Sequence, residues 1–265
     1  MSVLEAHNLV KRYRLRGGWR GTTLTAVNDV SFTLEAGRTV ALVGQSGSGK
    51  STIAKLLMQL ENPTSGRILL NGKPILRRGR GLREYRNNVQ MVFQDPFASL
   101  NPFHTVEHHL ARPLLLHGKA TSTAEVRAGV RRLLRRVRLE PVDEVARRRP
   151  HELSGGQRQR VAIARALAPG PTVLIADEPV SMLDVSIRLG VLNLLASLQR
   201  EENLGVLYIT HDLATARHFS DEILVMFRGE IVERGPSDDV ILDPKHEYTR
   251  LLAEAAPNPE KRILR

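Results

Sequence analysis

The segment Gly44-Gln45-Ser46-Gly47-Ser48-Gly49-Lys50-Ser51 lies between an apolar run (Thr39 to Val43) and a helical run (Thr52 to Leu60). Its glycines let the backbone curl with N–H groups turned inward, Lys50 can meet β- and γ-phosphates, and the Ser51 hydroxyl can ligate Mg²⁺. The helix that opens at Thr52 brings its positive N-terminal end to the same place, where it favours an anion. This is the chemistry of a triphosphate cradle. Its four fixed positions arise by chance in roughly one chain of this length in a hundred, so a second feature has to support the reading.

Such a cradle needs a distal acid on a neighbouring strand, and Val173-Leu174-Ile175-Ala176-Asp177-Glu178 supplies one. An apolar strand ending in two carboxylates puts them where the crevice of a doubly wound sheet opens. Asp177 is suited to hold Mg²⁺ directly or through water, and Glu178 to take a proton from an attacking water.

The elements that must position these groups are legible in outline. Val3 to Tyr13 and Leu24 to Leu34 read as strands that can pair antiparallel, separated by an Arg- and Gly-rich loop from Arg14 to Gly21. Thr39 to Val43 has the all-apolar pattern of a strand buried on both faces. Arg67 to Leu70 and Val89 to Phe93 read as further strands, with the basic, Gly-containing stretch Arg77 to Arg86 between them as a connection. From about 95 to 170 prolines break up helical stretches and no strand is expected, so this is read as an inserted helical lobe. Its longest helix, Thr123 to Leu139, has apolar residues at Val126, Val130, Leu133, Leu134 and Val137 and arginines elsewhere. The strand runs Val173 to Ala176 and Val206 to Ile209 flank a periodic helix, the pattern of a parallel βαβ unit. Glu222 to Phe227 and Ile231 to Glu233 form a closing hairpin, and a helical tail is expected over 236–265.

With 265 residues and 42% hydrophobic content the chain is long enough for a substantial core. It has no cysteine, which excludes disulfides and thiolate-ligated zinc or iron–sulfur sites and agrees with a cytosolic setting. Met1 to Tyr13 lacks the apolar core of a secretory signal, and no apolar run reaches the ~20 residues of a membrane span. A net charge of +11 points to a polyanionic neighbour, either nucleic acid or an anionic membrane face. His108 and His109 have no metal-ligand spacing with carboxylates and read as solvated. Arg131, Arg132, Arg135, Arg136 and Arg138, followed by Arg147 to Arg149, read as a solvated basic face, with contact of some of them to lipid head groups or to the acidic side of a partner as the alternative.

Leu153-Ser154-Gly155-Gly156-Gln157, followed by Arg158 to Leu167, resembles the signature motif of the ATP-binding cassette (ABC) family. Physically, Ser154 and the Gly155 and Gly156 amides make a second small anion nest at a helix N-terminus. The resemblance implies that this nest, with Gln157, grips the γ-phosphate of ATP held by the cradle of a partner subunit. It also implies roles for residues elsewhere: Gln94 reaching the metal and water, Asp184 in Ser181-Met182-Leu183-Asp184 crossing the dimer interface, His211 contacting the γ-phosphate, and Tyr13 stacking on adenine. Met182 stands where the family more often has alanine. Gly44 to Thr52 would then hold ATP, with Mg²⁺ on Ser51, Gln94 and Asp177, and Glu178, His211 and Gln94 would serve catalysis. The implied fold is α/β: a RecA-like P-loop NTPase core with a mostly parallel sheet, an antiparallel β subdomain and the helical insertion.

Val92 to Pro102, Arg149 to Leu153 and Pro244 to Leu252 narrow the likeness to ATPases of oligopeptide, dipeptide and nickel importers. The resemblance implies a peripheral subunit on the cytoplasmic face of the cell membrane. It would work as a homodimer or with a similar second ATPase, beneath two permeases fed by an extracytoplasmic binding protein. Oligosaccharide importers share the ATPase type. A DNA-repair ATPase of the same superfamily would carry long heptad runs between Lys50 and Asp177, absent here, so nucleic acid is not expected as a partner. A phosphotransferase would have no use for Leu153 to Gln157.

Overall fold

The computed structural model describes residues 2–14 and 23–255. Most of the Arg14 to Gly21 loop and the last ten residues of the expected C-terminal tail lie outside the described residues. In chain order the elements begin with strands β1 (Ser2–Arg14), β2 (Thr23–Glu35) and β3 (Thr39–Val43), helix α1 (Lys50–Leu57), strands β4 (Ser65–Leu70) and β5 (Lys73–Pro74), helix α2 (Gly79–Asn88) and strand β6 (Val89–Val92). Helices α3 (Pro96–Ser99), α4 (Val106–Leu116), α5 (Thr123–Arg136), α6 (Val142–Arg147) and α7 (Gly155–Leu167) follow. The chain continues through β7 (Val173–Asp177), α8 (Val185–Glu201), β8 (Gly205–Thr210), α9 (Leu213–Phe219), β9 (Glu222–Phe227), β10 (Glu230–Pro236), α10 (Ser237–Leu242) and α11 (Glu247–Ala255).

Two compact units share the chain. One comprises Ser2–Leu34, Arg38–Pro74 and the residues from Leu207 onward. It contains an antiparallel layer in the order β2-β1-β4-β5, with Leu4 opposite Leu70 and Ala6 opposite Ile68. Leu4, Ala6, Val27 and Leu34 are almost fully buried, the alternation expected of strands with one wet face. In the same unit β3 runs parallel to β9, pairing Val40 with Glu222 and Val43 with Val225, and β9 turns back into antiparallel β10 through Arg228-Gly229. All five β3 residues are buried, as a two-faced apolar strand requires.

The other unit comprises Glu35–Gly37 and Ile75–Val206. Here β6 and β7 pair in parallel, Val89 with Val173 and Val92 with Ala176. Val130, Leu133 and Leu134 of α5 and Val191, Leu194, Leu195 and Leu198 of α8 are at most 2% exposed, so both helices bury the faces their periodicity marks. The α5 helix stops at Arg136, three residues before the expected end, because Arg138 takes a left-handed φ of 56°. Arg131 pairs with Asp143 and Arg136 with Glu202, so part of the basic face is neutralised locally.

The stretch expected as a connection from Arg77 to Arg86 forms helix α2 instead. Two glycines and a row of arginines hide it, but Tyr85 is 3% exposed and Arg83 donates to the Leu116 carbonyl at 2.7 Å. Tertiary anchoring overrides weak local propensity here.

Candidate functional site

Gly49 caps α1 with φ 114°, and a Cβ there would lie 2.3 Å from the Ala26 carbonyl oxygen, so only glycine fits. Its own carbonyl accepts from Thr52 and Ile53 at 3.0 Å each, closing the first turn. Lys50 is 6% exposed, and its ammonium donates to the Gly44 carbonyl at 2.6 Å and to that of Gln45 at 3.0 Å. The cation thus spans the loop. Ser48 Oγ is buried with no hydrogen-bond partner, a desolvation cost that a phosphate oxygen reaching it would recover. Ser51 is exposed at the mouth of the loop.

The same unit carries Tyr13 and His211. Tyr13 donates to Glu61 Oε2 at 2.5 Å, with the Lys11 ammonium 4.9 Å from its ring centre. Burial, then the bond to the Glu61 carboxylate, pushes the phenol above its usual range, while a bond to Thr52 works the other way. Tyr13 is therefore tethered beside the first turn of α1. His211 is exposed in the short connection after β8, bracketed by Thr210, whose Oγ1 accepts from Asp212 N at 3.1 Å, and by Asp212, which caps α9.

In the other unit Asp177 ends β7, and Glu178 follows in a left-handed conformation with φ 44°. A glutamate held there costs of order 1–3 kcal/mol, the kind of strain that persists at functional positions. Gln94 Nε2 donates to Glu178 Oε2 at 3.1 Å, and the Glu178 carbonyl accepts from Ser181 N and Oγ at 3.1 and 3.0 Å. The carboxylate is thereby aimed by one amide while its backbone is locked by the next turn. Asp184 is exposed at the N-cap of α8.

Ser154 caps α7 through a reciprocal box: Gln157 N donates to Ser154 Oγ at 3.3 Å and Ser154 N to Gln157 Oε1 at 3.0 Å. A helix leaves its first amides without intrahelical partners, so Gly155 and Gly156 present theirs beside an exposed serine. A Cβ on Gly156 would sit 2.5 Å from Ile187 Cγ2. The expected result of Gly156→Ala is overpacking of about 1–3 kcal/mol and a thermal midpoint lowered by roughly 2–10 °C. An unchanged midpoint in differential scanning fluorimetry would count against this contact.

A groove of about 870 Å³ opens beside Gln94, walled by Phe93, Asp95, His104, His108 and Leu116 among others. His104 and His108 stack at 4.0 Å. His109 differs from the sequence reading: it is 9% exposed, with Nε2 bonded to the Asn101 carbonyl at 3.0 Å, and burial pushes its pKa down. Also unread in the sequence is the contact of Tyr248 with the phosphate loop, where its hydroxyl accepts from Gln45 N at 2.9 Å.

A buried strand that opens through a glycine loop into a helix, within a mixed α/β fold, places the chain in the class of phosphate-loop nucleotide hydrolases. The family model described as ABC transporter matches residues 27–181. A probable peptide ABC transporter ATP-binding protein of Sinorhizobium fredii is 46% identical over 264 residues, covering 98% of this chain and 74% of the relative. The di/tripeptide transport ATP-binding protein DppF of Pseudomonas aeruginosa is 46% identical over 259 residues, covering 97% and 79%. A solved ATP-binding cassette, dimeric and bound to ADP and Pi in a post-hydrolysis state, superposes with a TM-score of 0.76 at 30% identity, covering 88% of this chain and 98% of that one. The chain belongs to the ABC transporter family, and its activity is ATP hydrolysis. Among the described residues no helix is long and apolar enough to cross a membrane.

Proposed function

We propose that this chain is the ATPase subunit of an importer for short peptides, acting on the cytoplasmic face of the membrane with two permeases and an extracytoplasmic binding protein. The observation that carries the reading is the exposed, reciprocally capped Ser154 at the start of α7 in a chain that has its own phosphate cradle. That pairing suits two subunits, each offering its nest to the nucleotide on its partner's loop. The peptide cargo follows from the relatives, both of which carry peptide transport in their names.

In this reading Lys50 and the amides of Gly44 to Thr52 hold the phosphates, and Tyr13 meets the adenine. Gln94 orients Glu178, which accepts the proton of the attacking water at its carboxylate oxygen. His211 and the partner's nest, with Asp184 crossing the interface, complete the pocket around the γ-phosphate. Ser51, Gln94 and Asp177 offer oxygen donors only, a sparse hard set that suits Mg²⁺ completed by phosphate and water oxygens. When bound, Mg²⁺ would neutralise charge on the phosphates. Loss of the γ-phosphate then removes the anion that both subunits share, so the dimer opens.

The helical segment 95–170 would couple this opening to the permeases through the groove beside Gln94. Leu116, 56% exposed on that groove, gives a test. Leu116→Glu is expected to leave ATP binding by the isolated chain unchanged and to abolish peptide-stimulated hydrolysis in the assembled transporter. For the cargo itself, deletion of the gene should abolish uptake of labelled di- and tripeptides. Intact peptide uptake with loss of oligosaccharide or nickel uptake would overturn the assignment.

A further inference from the structure

The phosphate loop is tied to α11, the second helix after the closing hairpin. Tyr248, near the start of α11, accepts a hydrogen bond at its hydroxyl from Gln45 N at 2.9 Å. Its ring is 7% exposed and packs on Phe227, with centroids 4.2 Å apart and planes tilted by 32°. A phenylalanine would fill that space equally well, so the hydroxyl matters only through what it bonds.

The segment that delivers the hydroxyl is fixed at several points. Glu233 of β10 accepts from Lys245 N at 2.7 Å and His246 N at 3.0 Å. His246 Nδ1 accepts from Tyr248 N at 3.1 Å. The Arg250 side chain donates to the Pro244 and Lys245 carbonyls at 3.0 and 3.2 Å. The clasp is therefore ordered before it meets the loop, and little further entropy is lost in making the bond.

On the loop side the Gly44–Gln45 peptide is a junction. Its carbonyl, that of Gly44, accepts from Lys50 Nζ at 2.6 Å. Its N–H, that of Gln45, is the edge that Tyr248 holds. Turning this planar peptide about its axis would break the lysine contact as well as the tyrosine contact, so the two ends are held in register.

We infer that Tyr248 is a positioning residue for nucleotide binding, through which the Pro244 to Arg250 clasp latches the first turn of the phosphate loop in its receptive shape. This rests on the reading of residues 44 to 51 as the triphosphate cradle. The test is Tyr248→Phe in the full chain, which keeps the ring and deletes only the hydroxyl. Losing one neutral hydrogen bond should raise KM for ATP about three- to tenfold, with kcat within twofold and the unliganded thermal midpoint lowered by only about 2–5 °C. Hydrogen exchange in the peptide containing Gln45 should quicken. Unchanged KM and unchanged exchange, or a fall in kcat at constant KM, would overturn the latch. If the unsubstituted chain does not bind ATP, the cradle reading fails and takes the latch with it.

Discussion

Replacing Glu178 by glutamine is expected to slow ATP turnover by about 10²- to 10⁴-fold while leaving ATP affinity within a few-fold. The amide has no basic oxygen to take the proton of the attacking water, which on this scale removes about 3–5 kcal/mol of transition-state stabilisation. The bonds described at the position survive. Gln94 Nε2 now donates to Glu178 Oε2 at 3.1 Å, and a glutamine carbonyl oxygen can accept the same bond. The left-handed backbone at 178, with Ser181 N and Oγ on its carbonyl, depends on the main chain and not on the charge. Nucleotide should therefore bind, and the ATP-bound dimer should accumulate because the step that dissolves it is blocked. Phosphate release and light scattering with excess ATP report the two halves of this expectation. Normal turnover, or a monomer that holds ATP without pairing, would contradict the role given to the residue.

Lys50→Ala should act on binding itself. Charge-assisted hydrogen bonds contribute about 1.5–3 kcal/mol each, so the loss of even one to phosphate weakens affinity by roughly ten- to a hundredfold. A further cost comes from the loop, whose Gly44 and Gln45 carbonyls lose the ammonium that now spans them. Titration with a fluorescent ATP analogue measures the change. An affinity equal to that of the unsubstituted chain would mean that residues 44 to 51 are only a turn.

The contrast between what the residues announced and what they concealed follows physical lines. The strand Thr39 to Val43 was legible because a threonine and four consecutive apolar residues before a glycine loop have few alternatives, and all five are buried. The start of α7 was legible because Ser154 and two glycines ahead of Arg158 to Leu167 read as a nest at a helix N-terminus, and Ser154 caps the helix there; the reciprocal bond from Ser154 N to Gln157 was not read. Helix α2 was not, since its glycines and arginines carry no apolar period and its order comes from Tyr85 and the Arg83 bond to Leu116. The burial of His109 depends on a carbonyl eight residues earlier, and although Asn101-Pro102 marks a turn there, nothing local shows which side chain will meet it. Tyr248 and Gln45 lie 203 positions apart, and no periodicity connects them. The φ of Glu178 is likewise set by the turn through Ser181 and not by glutamate's own preference.

The contact between Gly156 and Ile187 makes the start of α7 and the start of α8 mesh like two cogs, one tooth being a missing methyl group. The exposed caps at Ser154 and Asp184, which the proposed dimer would use, are therefore not free to evolve separately. Bulk added at 156 can be tolerated only if bulk is removed at 187, and Ile187→Ala should restore much of what Gly156→Ala loses.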